Sequence, residues 1–345
     1  MADFSTLINA WYRQNRRVLP WRGISDPYKI WLSEVILQQT RVDQGTAYYL
    51  KFIKAFPTIN HLANAEEDEV LNLWQGLGYY SRARNMHFSA KLVANELNGV
   101  FPTTYKGVIS LKGVGEYTAA AITSIAYGLP HAVVDGNVYR VLSRYLAIAT
   151  PIDSKQGKKE FAEVASAFLD HKNPGDHNQA LMEIGALICL PKKPKCSECP
   201  LSNSCVALQK KSQLNFPVKS KKTKVVNRYI HYLVFTDGQN TALKKRTGKG
   251  IWEGLYDFPM VEKKEGEELT KKDLESFTFS DFTFDGTFKH ILSHQKILAT
   301  FWQVQVEQVK LVDNQIEIPI HQIEDYPLPQ LLIRYIKESR LFGAD

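Results

Sequence analysis

CLPKKPKCSECPLSNSC, residues 189–205, holds all four cysteines of a 345-residue chain. The spacing is C-x6-C-x2-C-x5-C, and Pro191, Pro194 and Pro200 stiffen the segment. Four thiols gathered this way in an otherwise cysteine-free sequence read as a closed, tetrahedral S4 site made by Cys189, Cys196, Cys199 and Cys205. Zinc and a [4Fe–4S] cluster both accept that donor set, although zinc more often uses two short knuckles where this loop has one. With every position taken by sulfur, either metal would be structural rather than catalytic.

Working outward, the segments before this loop carry apolar residues at helical spacing: YKIWLSEVILQQ, EVLNLWQGLG, TAAAITSIAYG and NQALMEIGALIC, separated by Gly, Pro and Asn breaks. Beyond it, no acidic residue occurs between Glu198 and Asp237, while Lys210, Lys211, Lys219, Lys221, Lys222 and Lys224 accumulate. That composition suggests a basic tether. NRYIHYLVF, FTFDGTFKHIL and ILATFWQVQV then alternate and are rich in β-branched and aromatic residues, so they read as strands, and PQLLIRYIKES as a closing helix. The expected organisation is a mainly α region over 1–208, a basic linker over 209–226 and an α+β domain over 227–345. The length and the 44% hydrophobic content support two real cores. Net charge is +7, which favours a polyanionic partner such as nucleic acid. The first residues lack the apolar region and cleavage site of a signal peptide, and no apolar run is long enough to span a membrane, so a cytoplasmic protein with no membrane partner is expected.

Two carboxylates stand out in the helical region. Asp26-Pro27 caps a helix in which Glu34 sits among Ile30, Trp31, Leu32, Val35, Ile36 and Leu37. Apolar residues nearly encircle that helix, so Glu34 is expected to be buried or to line a cleft, with desolvation raising its pKa toward that of a general acid. Asp135, in HAVVDGNVYRVLSR, precedes a helical run and reads as an N-cap whose helix amides keep it ionised. An acid beside an anion is the logic of glycosidic bond cleavage. Gly113, Val114 and Gly115 lead straight into an Ala-rich helix, a turn whose amides can face a phosphate.

In order, the Glu34 helix, the LKGVG turn, VVDGN and the C-x6-C-x2-C-x5-C loop resemble the endonuclease III superfamily of helix-hairpin-helix base-excision glycosylases, over nearly all of residues 5–208. Within it the chain is most similar to the adenine-specific MutY family. Tyr117, in GVGEYTA, stands where the superfamily's glycosylase/lyases carry a lysine nucleophile, which implies a monofunctional enzyme that uses water. WLSEVILQQTRV, GLGYYSRARN and the extra C-terminal domain point to the same family.

The resemblance implies an enzyme of base excision repair, a [4Fe–4S] cluster on the four cysteines, and double-stranded DNA carrying 8-oxoguanine:adenine or guanine:adenine mispairs as partner. It also implies a monomer working in the cytoplasm of a bacterium, associated with the nucleoid. Glu34 would protonate adenine and Asp135 support the sugar cation, with Tyr117 and Asn137 positioning them. Trp21, Arg22 and Leu37 would line the adenine pocket and Gln179 touch the base. Gln39 and Tyr79 would fill the space left by the flipped nucleotide. Gly113, Val114 and Gly115 would grip the DNA backbone, and Lys112, where LPGVG forms carry proline, could reach a phosphate.

The C-terminal domain resembles a Nudix-like module, with GKGIWEGLYDFP its recognisable strand-turn. No R-E-x-x-E-E-x-G helix follows, so binding without hydrolysis is implied. FKHILSHQKI resembles the loop that reads 8-oxoguanine, leaving Ser293 and His294 as readers although Leu292 replaces the usual Phe. The rival readings are a bifunctional glycosylase/lyase, a non-enzymatic zinc-containing DNA-binding protein and a Nudix nucleotide hydrolase.

Overall fold

Each helix near the future site begins at an identifiable signal. In the computed structural model, which describes residues 2–220, 225–274, 279–309, 311 and 315–343, the chain opens with α1 (Ala2–Asn15) and then α2 (Pro27–Leu37). Asp26 caps α2 by accepting from the Tyr28 and Lys29 amides at 3.0 and 3.3 Å, and Pro27 supplies the preset first turn. Then follow α3 (Val42–Ala55), α4 (Ile59–Asn64), α5 (Glu67–Leu73), α6 (Ser81–Glu96), α7 (Tyr105–Ile109), α8 (Glu116–Tyr127), α9 (Gly136–Leu146), α10 (Lys155–Phe168), α11 (Pro174–Leu187) and α12 (Val206–Gln209). Asp135 caps α9, Ser154 caps α10, and Gly128 ends α8 in the left-handed conformation.

By packing, the chain divides into two units, Met1–Asn64 with Phe88–Lys222, and Ala65–His87 with Thr223–Asp345. This departs from the linear partition at 208 and 227 in two ways. Residues 65–87 pack with the C-terminal strands, because Asp68 binds Lys245 and Tyr256 while Asn72 and Gln75 meet the backbone at 324–328. The basic segment 209–220 is no free tether either. Ile152 N–H donates to the Val218 carbonyl, and Asp153 accepts from the amide and hydroxyl of Ser220. The lysines at 221, 222 and 224 lie outside the described residues.

In the first unit the core runs through Phe4, Ile8, Tyr12, Ala120, Ala121, Val138, Leu142, Phe161 and Ile184. Ala119–Ala121 keep α8 slim enough for α2 and α11 to pack against it. α2 is buried from Ile30 through Ile36, which is why a glutamate at its midpoint ends up inside.

The second unit is built on strands β1 (Val226–Thr236), β2 (Asn240–Lys245), β3 (Tyr256–Asp257), β4 (Met260–Lys263), β5 (Asp281–Ile291), β6 (Gln295–Gln305) and β7 (Gln315–Pro319), followed by α13 (Gln330–Glu338). The sheet order is β3-β2-β1-β6-β5, with β4 beside β1 and β7 beside β2. β1 and β6 run parallel and the other pairs are antiparallel. The alternation expected for a half-buried β1 is not what forms. Residues 230–236 are buried without a break, because Tyr335 of α13 stacks on Phe301 at 3.8 Å on one face while Leu233 and Phe235 join Leu269 and Leu274 on the other.

One buried group makes the first unit acid-sensitive. His177 on α11 is 1% exposed and neither ring nitrogen has a hydrogen-bond partner among the described residues. Burial pushes its pKa down to about 4, against a mild opposing pull from Asp170. The fold therefore prefers the neutral ring, so the full stability is present above ~6.5 and is lost as pH falls from there toward the folded value, by up to ~3 kcal/mol. Urea midpoints measured across that window should fall for the wild type, and His177→Leu should flatten the curve.

Candidate active site

α2, the first turn of α8, the N-terminus of α9 and one face of α11 converge on a cavity of about 530 Å³. Nine of the residues singled out by sequence line it: Trp21, Arg22, Glu34, Leu37, Gln39, Tyr117, Asp135, Asn137 and Gln179. Among the described residues, the lining contains no lysine.

Glu34 is 8% exposed. Burial raises its pKa to about 7; the Tyr117 hydrogen bond opposes this, the Asp135 charge adds to it, and Arg22 opposes it. The Tyr117 hydroxyl donates to Glu34 Oε2 at 2.6 Å, and burial together with the two carboxylates holds the phenol far above its usual range, so it keeps its proton. Asp135 accepts from the Asn137 and Val138 amides at 2.9 and 2.8 Å and from Asn137 Nδ2 at 2.8 Å. The cap forms as expected, yet it does not keep the carboxyl at its ordinary pKa. Burial outweighs the three hydrogen bonds and the nearby Arg140 and shifts Asp135 upward.

Arg22 is fixed by a residue that sequence reading passed over. Glu183 of α11, 1% exposed, accepts from Arg22 Nη2 at 2.7 Å and from Arg17 Nε and Nη2 at 2.8 and 2.7 Å. Burial would raise Glu183, but the two arginines hold it below the usual carboxylate range. Arg22 lines this cavity, and its Nη1 is buried without a hydrogen-bond partner among the described residues. Gln179 Oε1 accepts from Tyr12 at 3.1 Å, which orients its amide. Trp21 is both core and lining, at 8% exposure with its ring edge-on to Tyr49. Gln39 stands exposed just after α2 with φ +57, a left-handed backbone unusual for a side-chain-bearing residue.

The remaining residues lie elsewhere. Gly113, φ +82, makes the turn between α7 and α8, Val114 is buried under it, and Gly115 starts α8. Lys112 places its ammonium 4.4 Å from the Phe88 ring centroid, so the side chain is held there by a cation–π contact. In the second unit, Tyr79 has φ +48 and its hydroxyl makes a short hydrogen bond with Ser293 Oγ. Ser293 and His294 form the exposed turn between β5 and β6, closed by Leu292 N–H to Gln295 O at 2.8 Å.

The four cysteine side chains line one small pocket with Arg144 and Gln213. Arg144 is 2% exposed; it donates to the carbonyls of Leu190 and Pro191 and lies 3.4 Å from Cys189 Sγ. Four soft thiol donors with guanidinium and amide N–H groups around them suit an iron–sulfur group. Among the described residues, no three His, Cys, Asp or Glu side chains are gathered around a single-ion position. A second arginine ties this loop to the cavity. Arg140 Nε donates to the Cys189 carbonyl at 2.6 Å and Nη2 to Asn137 Oδ1 at 2.8 Å, and Asn137 in turn holds Asp135.

Residues 32–167 match the HhH-GPD superfamily base excision DNA repair proteins, 189–205 the iron–sulfur binding domain of endonuclease III, and 231–338 the NUDIX domain. The adenine DNA glycosylase of Buchnera aphidicola from Baizongia pistaciae is 35% identical over 90% of this chain and 88% of its own. The chain belongs to the adenine DNA glycosylases. The human enzyme of that name is also 35% identical, over 77% of this chain and 58% of its own. Among solved structures, a thermostable thymine-DNA glycosylase superposes with a TM-score of 0.56 at 31% identity, over 60% of this chain and 95% of that one. The protein is thus a base-excision DNA glycosylase with an iron–sulfur-binding loop and a Nudix-like C-terminal domain, and no described helix is long and apolar enough to cross a membrane.

The glycosylase cavity depends on close approach of α11 to the start of α9. A Cβ on Gly185 would lie 2.5 Å from Asn137 Cβ and 3.0 Å from its Cα. Gly185→Ala should push Asn137 and with it Asp135 off position, costing ~1–3 kcal/mol of stability. Its single-turnover adenine excision should fall further than its DNA affinity, measured in parallel by fluorescence anisotropy.

Proposed function

We propose that the enzyme excises adenine opposite 8-oxoguanine, and opposite guanine, by a monofunctional route in which Glu34 protonates the base at N7 and Asp135 supports the sugar cation. The observation that carries this reading is the pairing of a buried carboxylate, Glu34, with a partly buried one, Asp135, in one cavity with unequal restraints. Asp135 receives three hydrogen bonds that favour its anion, while Glu34 receives one and feels the Asp135 charge. Glu34 is accordingly the acid and Asp135 the anion.

Adenine within a duplex is out of reach of a cavity, so the nucleotide must be extruded before it can react. Arg22 Nη1 and the Gln179 amide offer the polar contacts to the flipped base, and Trp21 and Leu37 the apolar walls. Proton transfer from Glu34 makes adenine a neutral leaving group, and the C–N bond breaks as the sugar becomes cationic. The Asp135 carboxylate faces that charge, held in place by Asn137 and the α9 amides. Water then adds to the sugar carbon, and Glu34, now ionised, accepts its proton. The absence of a lysine from the cavity lining, with Tyr117 in its place, favours water over a Schiff base.

The donor set and its setting support a [4Fe–4S] cluster on Cys189, Cys196, Cys199 and Cys205, where it would hold the loop rigid; the chemistry at the sugar belongs to the carboxylates. The HhH turn at Gly113–Gly115 and the lysines of the cysteine loop are read as phosphate contacts, which position the enzyme without reading sequence. Tyr79, Ser293 and His294, together in the second unit, are read as the side chains that sense 8-oxoguanine. The protein is further proposed to be a monomer of the bacterial cytoplasm, at the nucleoid.

A labelled duplex with one 8-oxoguanine:adenine pair, incubated with enzyme and cleaved by alkali, tests the activity directly. Asp135→Asn should fold and bind that duplex but lose roughly 10²–10⁴-fold in excision, and near-normal rates would remove Asp135 from its role. Activity requires protonated Glu34, present below its pKa and lost as pH rises through about 7. Tyr117→Phe removes a hydrogen bond that lowers this pKa, so the alkaline limb of single-turnover rate against pH should move upward.

A further inference from the structure

The strand-turn in GKGIWEGLYDFP has no part in the chemistry above, but its packing gives it one. Trp252 and Gly254 both adopt left-handed backbones, φ +62 and +84. Between them Glu253 is held twice by Arg84, from the first turns of α6. Arg84 Nη1 donates to the Glu253 carbonyl, and Nη2 lies 3.0 Å from its carboxylate. The fit is tight at the next residue, where a Cβ on Gly254 would stand 3.2 Å from Arg84 Cδ and 3.3 Å from Leu71 Cδ1.

This turn links two places that matter for the mispair. Trp252, 8% exposed, packs edge-on against His290 with ring centroids 5.6 Å apart, and His290, near the end of β5, lies three residues before Ser293 in the turn that follows. Arg84 lies five residues after Tyr79, and Tyr79 hydrogen-bonds Ser293. The contacts therefore close a ring: Tyr79, α6, Arg84, the 252–254 turn, His290, Ser293 and back to Tyr79. A ring closed by a hydrogen bond at its exposed end restrains the separation of the two side chains that form that contact.

We propose that Arg84 and the Trp252–Gly254 turn are positioning residues that set the spacing between Tyr79 and the Ser293–His294 turn, and through it the preference for 8-oxoguanine over guanine opposite adenine. This rests on the reading of Tyr79, Ser293 and His294 given above. Arg84 itself touches neither base; it acts through the turn it grips.

The test is single-turnover excision from 8-oxoguanine:adenine and guanine:adenine duplexes by wild type, Arg84→Ala, Arg84→Lys, Glu253→Gln, Ser293→Ala and the Arg84→Ala/Ser293→Ala double variant, each checked for folding by thermal melting. Arg84→Ala should lower the preference about five- to tenfold through the 8-oxoguanine substrate alone, leaving the guanine:adenine rate unchanged. Arg84→Lys should retain part of the preference, and the double variant should be no worse than Ser293→Ala. Should Arg84→Ala fail to fold, Glu253→Gln, which removes only the ion pair, should lower the preference in the same direction. Equal losses on both substrates, or losses that add to those of Ser293→Ala, overturn the inference while leaving the reading of Ser293 intact. An unchanged preference in Ser293→Ala overturns the reading itself, and the inference with it.

Discussion

Burying Glu34 at the midpoint of an apolar helix is the constraint around which the first unit is arranged. An isolated buried carboxylate is costly, and the fold answers with a phenol donor from α8 rather than a full counter-ion. A salt bridge to Glu34 would stabilise the anion and abolish the acid. Arg22, whose charge is felt at Glu34, is instead hydrogen-bonded to Glu183, which also binds Arg17. Glu183 thereby engages both arginines in the cavity wall, and the hydrogen bond that Glu34 receives comes from Tyr117.

The second carboxylate is treated in the opposite way. Asp135 sits at a helix N-terminus and receives two backbone hydrogen bonds and one from Asn137, which limit how far burial can raise it. Its side-chain partner, Asn137, is fixed by Arg140, and Arg140 is fixed by the backbone of the cysteine loop. The loop is remote from the proposed proton transfers, yet two hydrogen bonds join the carbonyl of a cysteine to the residue that holds Asp135. A distortion of the cysteine loop would therefore reach Asp135 through Arg140 and Asn137.

Much of this was legible in the sequence where signals are local. Asp26-Pro27, the Gly113–Gly115 turn, the cap at Asp135 and the strands around 226–236 and 281–305 all form as their residues suggest. Burial of Glu34 was readable because α2 is apolar on all sides. Three things were not readable. Glu183 looks like an ordinary helical glutamate in NQALMEIGALIC, and only its two arginine partners, more than 160 residues away, mark it out. Local capping rules say nothing of how deeply Asp135 is buried, so they overstate the ease of keeping it ionised. Lys112, read as able to reach a phosphate, also has the Phe88 ring beneath its ammonium, a contact with a residue 24 positions earlier that its local sequence does not announce.

The division of the chain carries the same lesson at a larger scale. Hydrophobic periodicity assigns residues 65–87 to the helical region, and nothing local to them says otherwise. Their ionic and hydrogen-bonding partners include Lys245, Glu253, Tyr256, Ser293, Asp325 and Leu328, all in the second unit. Sequence continuity thus joins Tyr79 to the helices, whereas packing joins it to the turn at Ser293. Its backbone is left-handed at φ +48, a conformation that persists only where surrounding contacts impose it. Those contacts come from the second unit, so the proposed sensing of the base opposite adenine is assembled inside one body from segments more than 200 residues apart.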